Sequence, residues 1–311
     1  AKVFGKTVFL RADLNVPLSE TRSIADDTRL AAVLPTIDFL LKNEAKVIVA
    51  SHLGRPVGID KSLSLEPVAH WFSIKYKVSS IKYENREEFD GWKIGANIFL
   101  LENLRFYEGE EKNDPEFSKK LASLANIYVN DAFAMCHRNH ASIVGITHYL
   151  PHFAGFHLEK EIENLGRAID NPKRPLVVVI GGKKIETKLP LVEKMHKIAD
   201  YVLVGGKIAE ESQMFLKVRH KKTIGRKSVL LVADLTPDGT CITEKSLHNF
   251  LDIIAVAKTV IWNGSMGFIG EKEDKFQATR KIAEEIIKSQ AYTVVGGGDT
   301  IEFLNRIKLL D

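Results

Sequence analysis

The chain has 311 residues, a formal net charge of +4 at pH 7, and 45% hydrophobic and 27% charged residues, which fits a globular protein with about two domains. Its longest apolar runs fall far short of the ~18 residues of a membrane-spanning helix, and no basic stripe interleaved with aromatic residues indicates a nucleic-acid-binding protein. The two cysteines, Cys136 and Cys241, lack disulfide or metal-ligand spacing, so together with an opening that runs straight into a strand they predict a cytoplasmic protein.

Short apolar runs, each followed by a polar or glycine-rich loop and then a helical segment, recur along the chain. In chain order they are TVFL, KVIVA, NIFLL, NIYV, PLVVVI, YVLV, SVLLVAD, TVIW and YTVV. Such continuous runs are typical of strands buried on both faces of a parallel sheet. Amphipathic segments such as EFSKKLASLA and RKIAEEIIKSQA lie between them. This alternation predicts an α/β fold of two Rossmann-like three-layer domains with parallel sheets, with a mixed α+β fold as the alternative.

The segment FHLEKEIENLGRAID predicts a helix that joins the two domains. It places four apolar residues on one helical stripe, Leu158, Ile162, Leu165 and Ile169. Asn171 and Pro172 then end the helix. We therefore expect one domain at residues 1–155, a connecting helix at 156–172 that transmits domain closure, and a second domain at 173–311.

Cationic side chains follow the predicted strands of the first half. In parallel α/β sheets, ligands bind beyond the carboxyl ends of the strands, and arginine makes bidentate hydrogen bonds to phosphate and carboxylate oxygens. Taken singly, such an arginine is more often solvated or salt-bridged, but here the pattern recurs after four strands. The residues are Arg11, Arg29, His52, Arg55, Arg105, His137 and Arg138. Together with Asp13 and Asn15, which follow the first strand and suit hydroxyl groups, they predict a site for a small multiply charged anion.

Glycine groups take the place of arginines in the second half. Gly181–Gly182, Gly205–Gly206 and Gly296–Gly298 each follow an apolar run, and glycine lets backbone amides approach a phosphate closely. Asp299 and Thr300 add oxygen ligands suited to Mg²⁺. One glycine pair alone often marks only a tight turn, and neither common linear nucleotide-binding motif is present. The recurrence predicts a site for a Mg-nucleotide, and the two sites together predict phosphoryl transfer.

Several of these segments resemble the phosphoglycerate kinase family, in the same order and nearly end to end. They are RADLNVPL, DDTR, SHLGRP, LLENLRFYEGEEKNDPEF, YVNDAF, HRNHAS, WNGSMG and VVGGGDT. The resemblance implies reversible phosphoryl transfer between 1,3-bisphosphoglycerate and Mg-ADP, giving 3-phosphoglycerate and ATP in glycolysis. We expect a monomer, with neither a nucleic acid nor a membrane as its partner.

The resemblance also implies roles for individual residues. It assigns the triose substrate to Asp13, Asn15, Arg29, His52, Arg55, Arg105 and Arg138. It assigns the nucleotide to Gly182, Lys184, Lys188, Gly206, Asn263, Glu271, Gly297, Gly298, Asp299 and Thr300. Arg29, Lys184 and Lys188 would be catalytic, and Asp299 would be the Mg²⁺ ligand. The attacking carboxylate is already ionised near neutral pH, so we expect no general base.

The sequence departs from the family pattern at several places. Thr187 stands where the family has an aspartate, Ala134 and Met135 replace a glycine and a threonine and would crowd the substrate side, and Glu271 is one position out of register for a ribose contact. The second domain is short between residues 207 and 229, and the chain stops before the family's last glycine-rich loop. Either these 311 residues belong to a longer protein or the second domain is reduced. These departures leave open a non-catalytic relative that binds phosphoglycerate or nucleotide without turnover.

Overall fold

The structure, a computed structural model, describes residues 2–182, 185–209, 228–269 and 277–310, without the side chains of Ile185 and Thr187. The chain divides into two compact units, Ala1–Ile162 and Glu163–Asp311. The division falls inside the helix Phe156–Ile169, within the segment predicted to connect two domains. The predicted residues Lys184 and Glu271 lie outside the described residues.

The first unit contains a seven-stranded sheet in the order β3-β4-β5-β2-β1-β6-β7. Its strands are β1 (Thr7–Ala12), β2 (Lys46–Ala50), β3 (Ile81–Arg86), β4 (Phe89–Ile94), β5 (Ile98–Leu101), β6 (Ile127–Asp131) and β7 (His152–Ala154). The strands from β5 to β7 in this order pair in parallel, whereas β3 and β4 form an antiparallel hairpin on β5. The hairpin departs from the purely parallel sheet that the sequence predicts.

Helices cover both faces of this sheet. They are α1 (Thr28–Lys42), α2 (Glu66–Lys75), α3 (Glu108–Glu111), α4 (Pro115–Ser123) and, reaching into the second unit, α5 (Phe156–Ile169). Alternate residues of β1 enter different cores: Val8 and Leu10 pack in the core that contains residues of α1 and α2, and Phe9 packs in the core that contains Leu121 of α4. Successive side chains of a strand point to opposite faces of the sheet. The consecutive apolar residues of β1 therefore require helices on both faces, which gives three layers. On α5 the predicted stripe is only partly buried, because Ile162 is 55% exposed.

The second unit contains a five-stranded parallel sheet in the order β10-β9-β8-β11-β12. Its strands are β8 (Leu176–Ile180), β9 (Tyr201–Val204), β10 (Val229–Val232), β11 (Thr259–Asn263) and β12 (Tyr292–Gly296), and its helices are α6 (Ile185–Met195), α7 (Glu244–Ala255), α8 (Ala278–Ser289) and α9 (Gly298–Arg306). Every residue of β8 is buried, with Val177 and Val179 in one core and Val178 and Ile180 in the other. The predicted α/β, three-layer architecture is confirmed.

Candidate active site

The cationic residues of the first unit follow the central parallel strands. Because β1, β2, β5 and β6 pair in parallel, their carboxyl ends lie at one edge of the sheet, where α/β proteins bind ligands. Asp13 and Asn15 follow β1, His52 and Arg55 follow β2, Arg105 lies in the turn Leu104–Phe106 after β5, and Arg138 follows β6. The sheet order thus brings six of the seven predicted triose-site residues to one edge. The seventh, Arg29, lies at the start of α1 and reaches the same edge through its contact with Asp13.

Asp13 anchors Arg29. Arg29 Nη1 donates to Asp13 Oδ2 at 2.5 Å, and the arginine side chain is 47% exposed against 12% for the aspartate. The other carboxylate oxygen, Asp13 Oδ1, accepts the backbone N–H of Asn15 at 3.3 Å. A mostly buried carboxylate therefore holds one nitrogen of a guanidinium group whose remaining surface is open to a ligand.

The loop after β2 is fixed from two sides. Asn15 Oδ1 accepts the backbone N–H of Gly54 at 2.8 Å, and Arg105 Nη1 donates to the Gly54 carbonyl oxygen at 2.6 Å. Gly54 has φ +64°, and a Cβ there would lie 2.8 Å from a methyl carbon of Leu63. Only glycine fits this bend without strain, so the bend that precedes Arg55 is determined by the sequence.

Positive charge at this edge is only partly balanced. Arg105 Nε lies 3.0 Å from Glu111 Oε1. Burial lowers the pKa of Arg105, the Glu111 carboxylate raises it, and the charges of Arg11, Arg138 and Arg55 lower it further. These guanidinium groups therefore repel one another. A bound anion would relieve the repulsion, which is the electrostatic condition for a phosphate or carboxylate site.

Two residues that the sequence analysis did not assign hold this edge together. The Asn103 side chain is fully buried; it donates to the carbonyl oxygens of Leu53 at 2.8 Å and Leu63 at 2.9 Å and accepts the Arg105 N–H at 3.1 Å. Glu102 accepts hydrogen bonds from Ser64 Oγ and from the backbone of residues 65 and 103 at 2.7–2.9 Å. Both lie in the segment LLENLRF, and their closeness to Arg105 in the sequence was the signal that could have identified them.

Arg11 differs from the other strand-end arginines because it is fully buried. Its Nε donates to Ser142 Oγ at 2.8 Å, its Nη1 donates to the Ala12 carbonyl oxygen, and its Nη2 lies 3.2 Å from His52 Nδ1. His52 is itself only 4% exposed. Arg11 therefore acts inside the protein, and we exclude it from direct contact with a ligand.

Three glycine-rich loops of the second unit approach one another through their backbones. Gly182 N donates to the Ser265 carbonyl oxygen at 2.9 Å, and Gly181 N to the Asn263 carbonyl oxygen at 3.0 Å. Gly206 has φ +66°, and a Cβ there would lie 2.8 Å from Gly182 N. The carboxyl ends of β8, β9 and β11 are thus packed together without side chains between them.

The predicted nucleotide residues continue from these loops to α9. Lys188 donates from Nζ to Asn263 Oδ1. Gly297 has φ +99°, and a Cβ there would lie 3.3 Å from the same Asn263 oxygen. Gly298 begins α9, Asp299 is exposed in its first turn, and Thr300 is 1% exposed with an Oγ1 that has no hydrogen-bond partner within the described residues. Eight of the ten predicted nucleotide residues are described, and contacts link most of them in series.

The donor set around Asp299 fits a magnesium ion that arrives with a nucleotide. Among the described residues there is no group of three or more histidine, cysteine, aspartate or glutamate side chains that could hold a metal. Mg²⁺ is commonly held by one or two carboxylates together with phosphate oxygens and water. One exposed carboxylate at the start of a helix, beside glycine backbone, is compatible with that mode.

The two substitutions expected to crowd the substrate side lie differently. Met135 is 5% exposed and packs in a small apolar cluster with Ala132 and Ile143, whereas Ala134 is exposed. The larger side chain is therefore accommodated in the protein interior.

Comparison with known proteins agrees with the resemblance seen in the sequence. The family described as phosphoglycerate kinase matches residues 1–238 and 235–311. The cytosolic phosphoglycerate kinase of Triticum aestivum is 37% identical over 361 aligned residues, covering 100% of this chain and 90% of the relative, and the Nostoc enzyme is 38% identical with the same coverage. The solved structure of phosphoglycerate kinase from Coxiella burnetii has a TM-score of 0.79 and 31% identity, covering 99% of this chain and 90% of that one. Since the match extends over both units in sequence and in structure, the chain belongs to the phosphoglycerate kinase family.

Proposed function

We propose that this chain is a phosphotransferase that moves a phosphoryl group reversibly between 1,3-bisphosphoglycerate and ADP, giving 3-phosphoglycerate and ATP. The observation that carries the proposal is the set of guanidinium groups at one edge of the first sheet. Among the described residues, the carboxylates paired with them are Asp13 on Arg29 and Glu111 on Arg105, and burial together with the charges of Arg11, Arg138 and Arg55 lowers the pKa of Arg105. This charge distribution suits a three-carbon acid that bears a phosphate group and a second negative group.

Arg55, Arg105 and Arg138 would bind the phosphate and carboxylate oxygens of the triose ligand. Asp13 and Asn15 lie at the end of β1 and would hydrogen-bond its hydroxyl group and orient it. His52 would donate a hydrogen bond to one of its oxygens. Arg29, half-exposed and anchored on Asp13, would contact the phosphoryl group during transfer.

The chemistry makes modest demands on the protein. The acceptor is the carboxylate of 3-phosphoglycerate, already ionised near neutral pH, so no side chain has to remove a proton. The phosphoryl group carries negative charge on its oxygens in the transition state, and fixed cations stabilise that charge. Arg29 and Lys188 would supply this stabilisation together with Lys184, which lies outside the described residues.

In the second unit, Gly182, Gly206, Gly297 and Gly298 would present backbone N–H groups to the nucleotide phosphates, with Thr300 adding its buried hydroxyl and Asn263 orienting Lys188. Asp299 would hold Mg²⁺ that accompanies the nucleotide. When bound, the ion neutralises charge on the phosphate oxygens. Glu271 remains the predicted ribose contact and lies outside the described residues.

A coupled assay with 3-phosphoglycerate and Mg-ATP tests the proposal directly. We expect turnover that requires both substrates, as the kinase relatives named above suggest. Binding of 3-phosphoglycerate in calorimetry without turnover would instead support the non-catalytic alternative. The relatives named above do not favour that alternative. Supplying the family's residue through Thr187→Asp would then show whether that position is responsible.

Location and assembly are also part of the proposal. Cys136 and Cys241 are both free thiols, and within the described part of the chain every helix is too short or too polar to cross a bilayer. The wheat relative is cytosolic, whereas two relatives from Arabidopsis thaliana are chloroplastic. We propose a cytoplasmic monomer, which cell fractionation and light scattering on the purified protein would test.

A further inference from the structure

His52 has one ring nitrogen committed inside the protein. Its Nδ1 lies 3.2 Å from Nη2 of Arg11. A guanidinium group has N–H donors and no acceptor, so Nδ1 has to accept. An imidazole that accepts at Nδ1 carries its single proton at Nε2, and Nε2 has no hydrogen-bond partner within the described residues.

Arg11 cannot turn away from His52, because its other nitrogens are occupied. Nε donates to Ser142 Oγ at 2.8 Å, and Nη1 donates to the Ala12 carbonyl oxygen. Ser142 in turn donates its hydroxyl proton to Glu110 Oε1 at 2.6 Å and its backbone N–H to Glu110 Oε2 at 3.0 Å. Hydrogen bonds therefore lead from Arg11 through Ser142 to the Glu110 carboxylate, and from Arg11 directly to His52.

Glu110 supplies the negative charge that this arrangement needs. Its side chain is fully buried. Burial acts to raise the pKa of Glu110, but the His140 ring, whose Nδ1 lies 3.6 Å from Glu110 Oε1, the charge of Arg11 and the hydrogen bonds from Ser142 outweigh it and lower the pKa overall. The buried Arg11 cation is thus matched by a buried anion, which stabilises it in the geometry that faces His52.

The charged and titratable groups that face His52 come from several elements. Burial lowers the pKa of His52 to about 2, and Arg11 of β1, Arg105 of the turn after β5, His140 of the loop after β6 and Arg29 of α1 all act in the same direction. A second proton on this ring would be repelled by the guanidinium groups of Arg11, Arg105 and Arg29. The ring is therefore neutral at physiological pH.

We propose that Arg11 is a positioning residue that fixes His52 in the tautomer with its proton on Nε2, so that His52 serves the triose site as a hydrogen-bond donor and not as a cation. The inference rests on the function proposed for that site. It assigns to Glu110, Ser142 and Arg11 a shared role, which is to determine the protonation of a fourth residue. An oxygen of the phosphate, carboxylate or hydroxyl of the ligand would accept from Nε2.

Nitrogen NMR of the free, full-length protein with ¹⁵N-labelled histidine tests the tautomer without any measurement of activity. The His52 signals are assigned by their loss in His52→Gln. We expect Nε2 to carry the proton and both nitrogen shifts to stay constant from pH 8 to pH 5. A proton on Nδ1, or titration of the ring within this range, would overturn the proposal while leaving the assignment of the triose site intact.

Two substitutions test the consequences for binding. Glutamine places its amide near the position of Nε2, and asparagine near that of Nδ1, so by calorimetry His52→Asn should bind 3-phosphoglycerate at least about tenfold more weakly than His52→Gln. Equal affinity in the two variants would contradict a donor at Nε2. In Arg11→Met, Nδ1 of His52 loses its donor, so the proton is no longer confined to Nε2 and the two His52 nitrogen shifts should move toward each other; unchanged shifts would contradict the role of Arg11. If Arg11→Met does not fold, the wild-type spectrum still decides.

Discussion

Arg105 Nη1 donates to the carbonyl oxygen of Gly54 at 2.6 Å, so that an arginine following β5 fixes the loop following β2. Asn103 reinforces this coupling from beneath, through the carbonyl oxygens of Leu53 and Leu63. The two neighbouring strand ends are therefore one rigid unit, and the position of Arg55 depends on side chains about fifty residues later in the chain.

Replacing Asn103 with alanine should remove the donor of two loop carbonyl groups. We expect the free energy of unfolding to fall by about 1–3 kcal/mol, and KM for 3-phosphoglycerate to rise several-fold while KM for Mg-ATP stays unchanged. Urea unfolding and steady-state kinetics measure both effects. The control is Asn43→Ala, which removes an exposed hydrogen bond at the end of α1. Equal changes in both KM values would show that Asn103 supports the fold alone.

Replacing Arg29 with alanine should lower kcat by at least ~100-fold, because a fixed cation no longer stabilises charge on the transferring group. Stopped-flow or coupled kinetics at saturating substrates give this number. Arg86→Ala is the matched control, since Arg86 lies on edge strand β3 with its guanidinium group 5.7 Å from the Phe99 ring. Unchanged turnover in Arg29→Ala would remove this residue from the mechanism.

Replacing Asp299 with asparagine should weaken binding of Mg-nucleotide about tenfold or more while leaving the affinity for 3-phosphoglycerate nearly intact, because only the metal ligand loses its charge. Calorimetric titration with each ligand separates the two effects. Glu302→Gln changes an exposed carboxylate one turn later on α9 and should leave both affinities unaltered. A comparable loss for both ligands would contradict the assignment of Mg²⁺ to Asp299.

Replacing Gly264 with alanine should destabilise the second unit severely. Gly264 has φ +102°, and a Cβ there would lie 2.1 Å from the Gly181 carbonyl oxygen. Gly239→Ala is the matched control, because it has φ +65° and open space around the new methyl group; it should cost only about 1–2 kcal/mol for the backbone conformation. Calorimetric melting of both variants measures the difference. Similar Tm values would mean that the loops containing Gly181 and Gly264 can move apart at little cost in stability.

The pH dependence of stability should carry the signature of His52. Its pKa is about 2 in the folded protein against 6.5 as the ordinary value, so between these values the unfolded chain binds a proton that the folded chain does not. This contribution is complete above pH 6.5 and is lost as the pH falls, by about 1.4 kcal/mol per pH unit. Urea unfolding from pH 6 to pH 4.5 should therefore show a steeper loss for the wild type than for His52→Gln. If the free energy of unfolding fell equally with pH in both proteins, the folded state would not lower the pKa of His52.

The strands of the sheets were predictable wherever burial on both faces produced a continuous apolar run, as in Leu176–Ile180. The hairpin β3–β4 was not, because its sequence mixes polar and apolar residues and β3 is a partly exposed edge strand. An edge strand needs no uninterrupted apolar sequence, so the pattern that identifies central strands does not detect it.

The same distinction holds at the candidate site. The strand-end residues could be predicted because the order of parallel strands brings their ends together. Glu110 could not, and Asn103 had only its closeness to Arg105 in the sequence as a signal, since their importance comes from contacts with Ser142 and Leu53, far away in sequence. His52 was predicted at the site among cationic groups, but its protonation depends on the burial and orientation of Arg11, which only the three-dimensional structure determines.

The burial of Arg11 beside His52 has a consequence for how the affinity of the proposed triose site responds to pH and to salt. With His52 uncharged and guanidinium groups permanently protonated near neutral pH, these groups of the proposed triose site keep the same charge while cellular acidity varies. Dissolved salt remains an effective modulator, because the Debye length is about 8 Å at physiological ionic strength and small inorganic anions compete for the same exposed guanidinium groups. Affinity for the triose ligand should accordingly track ionic strength far more closely than proton concentration.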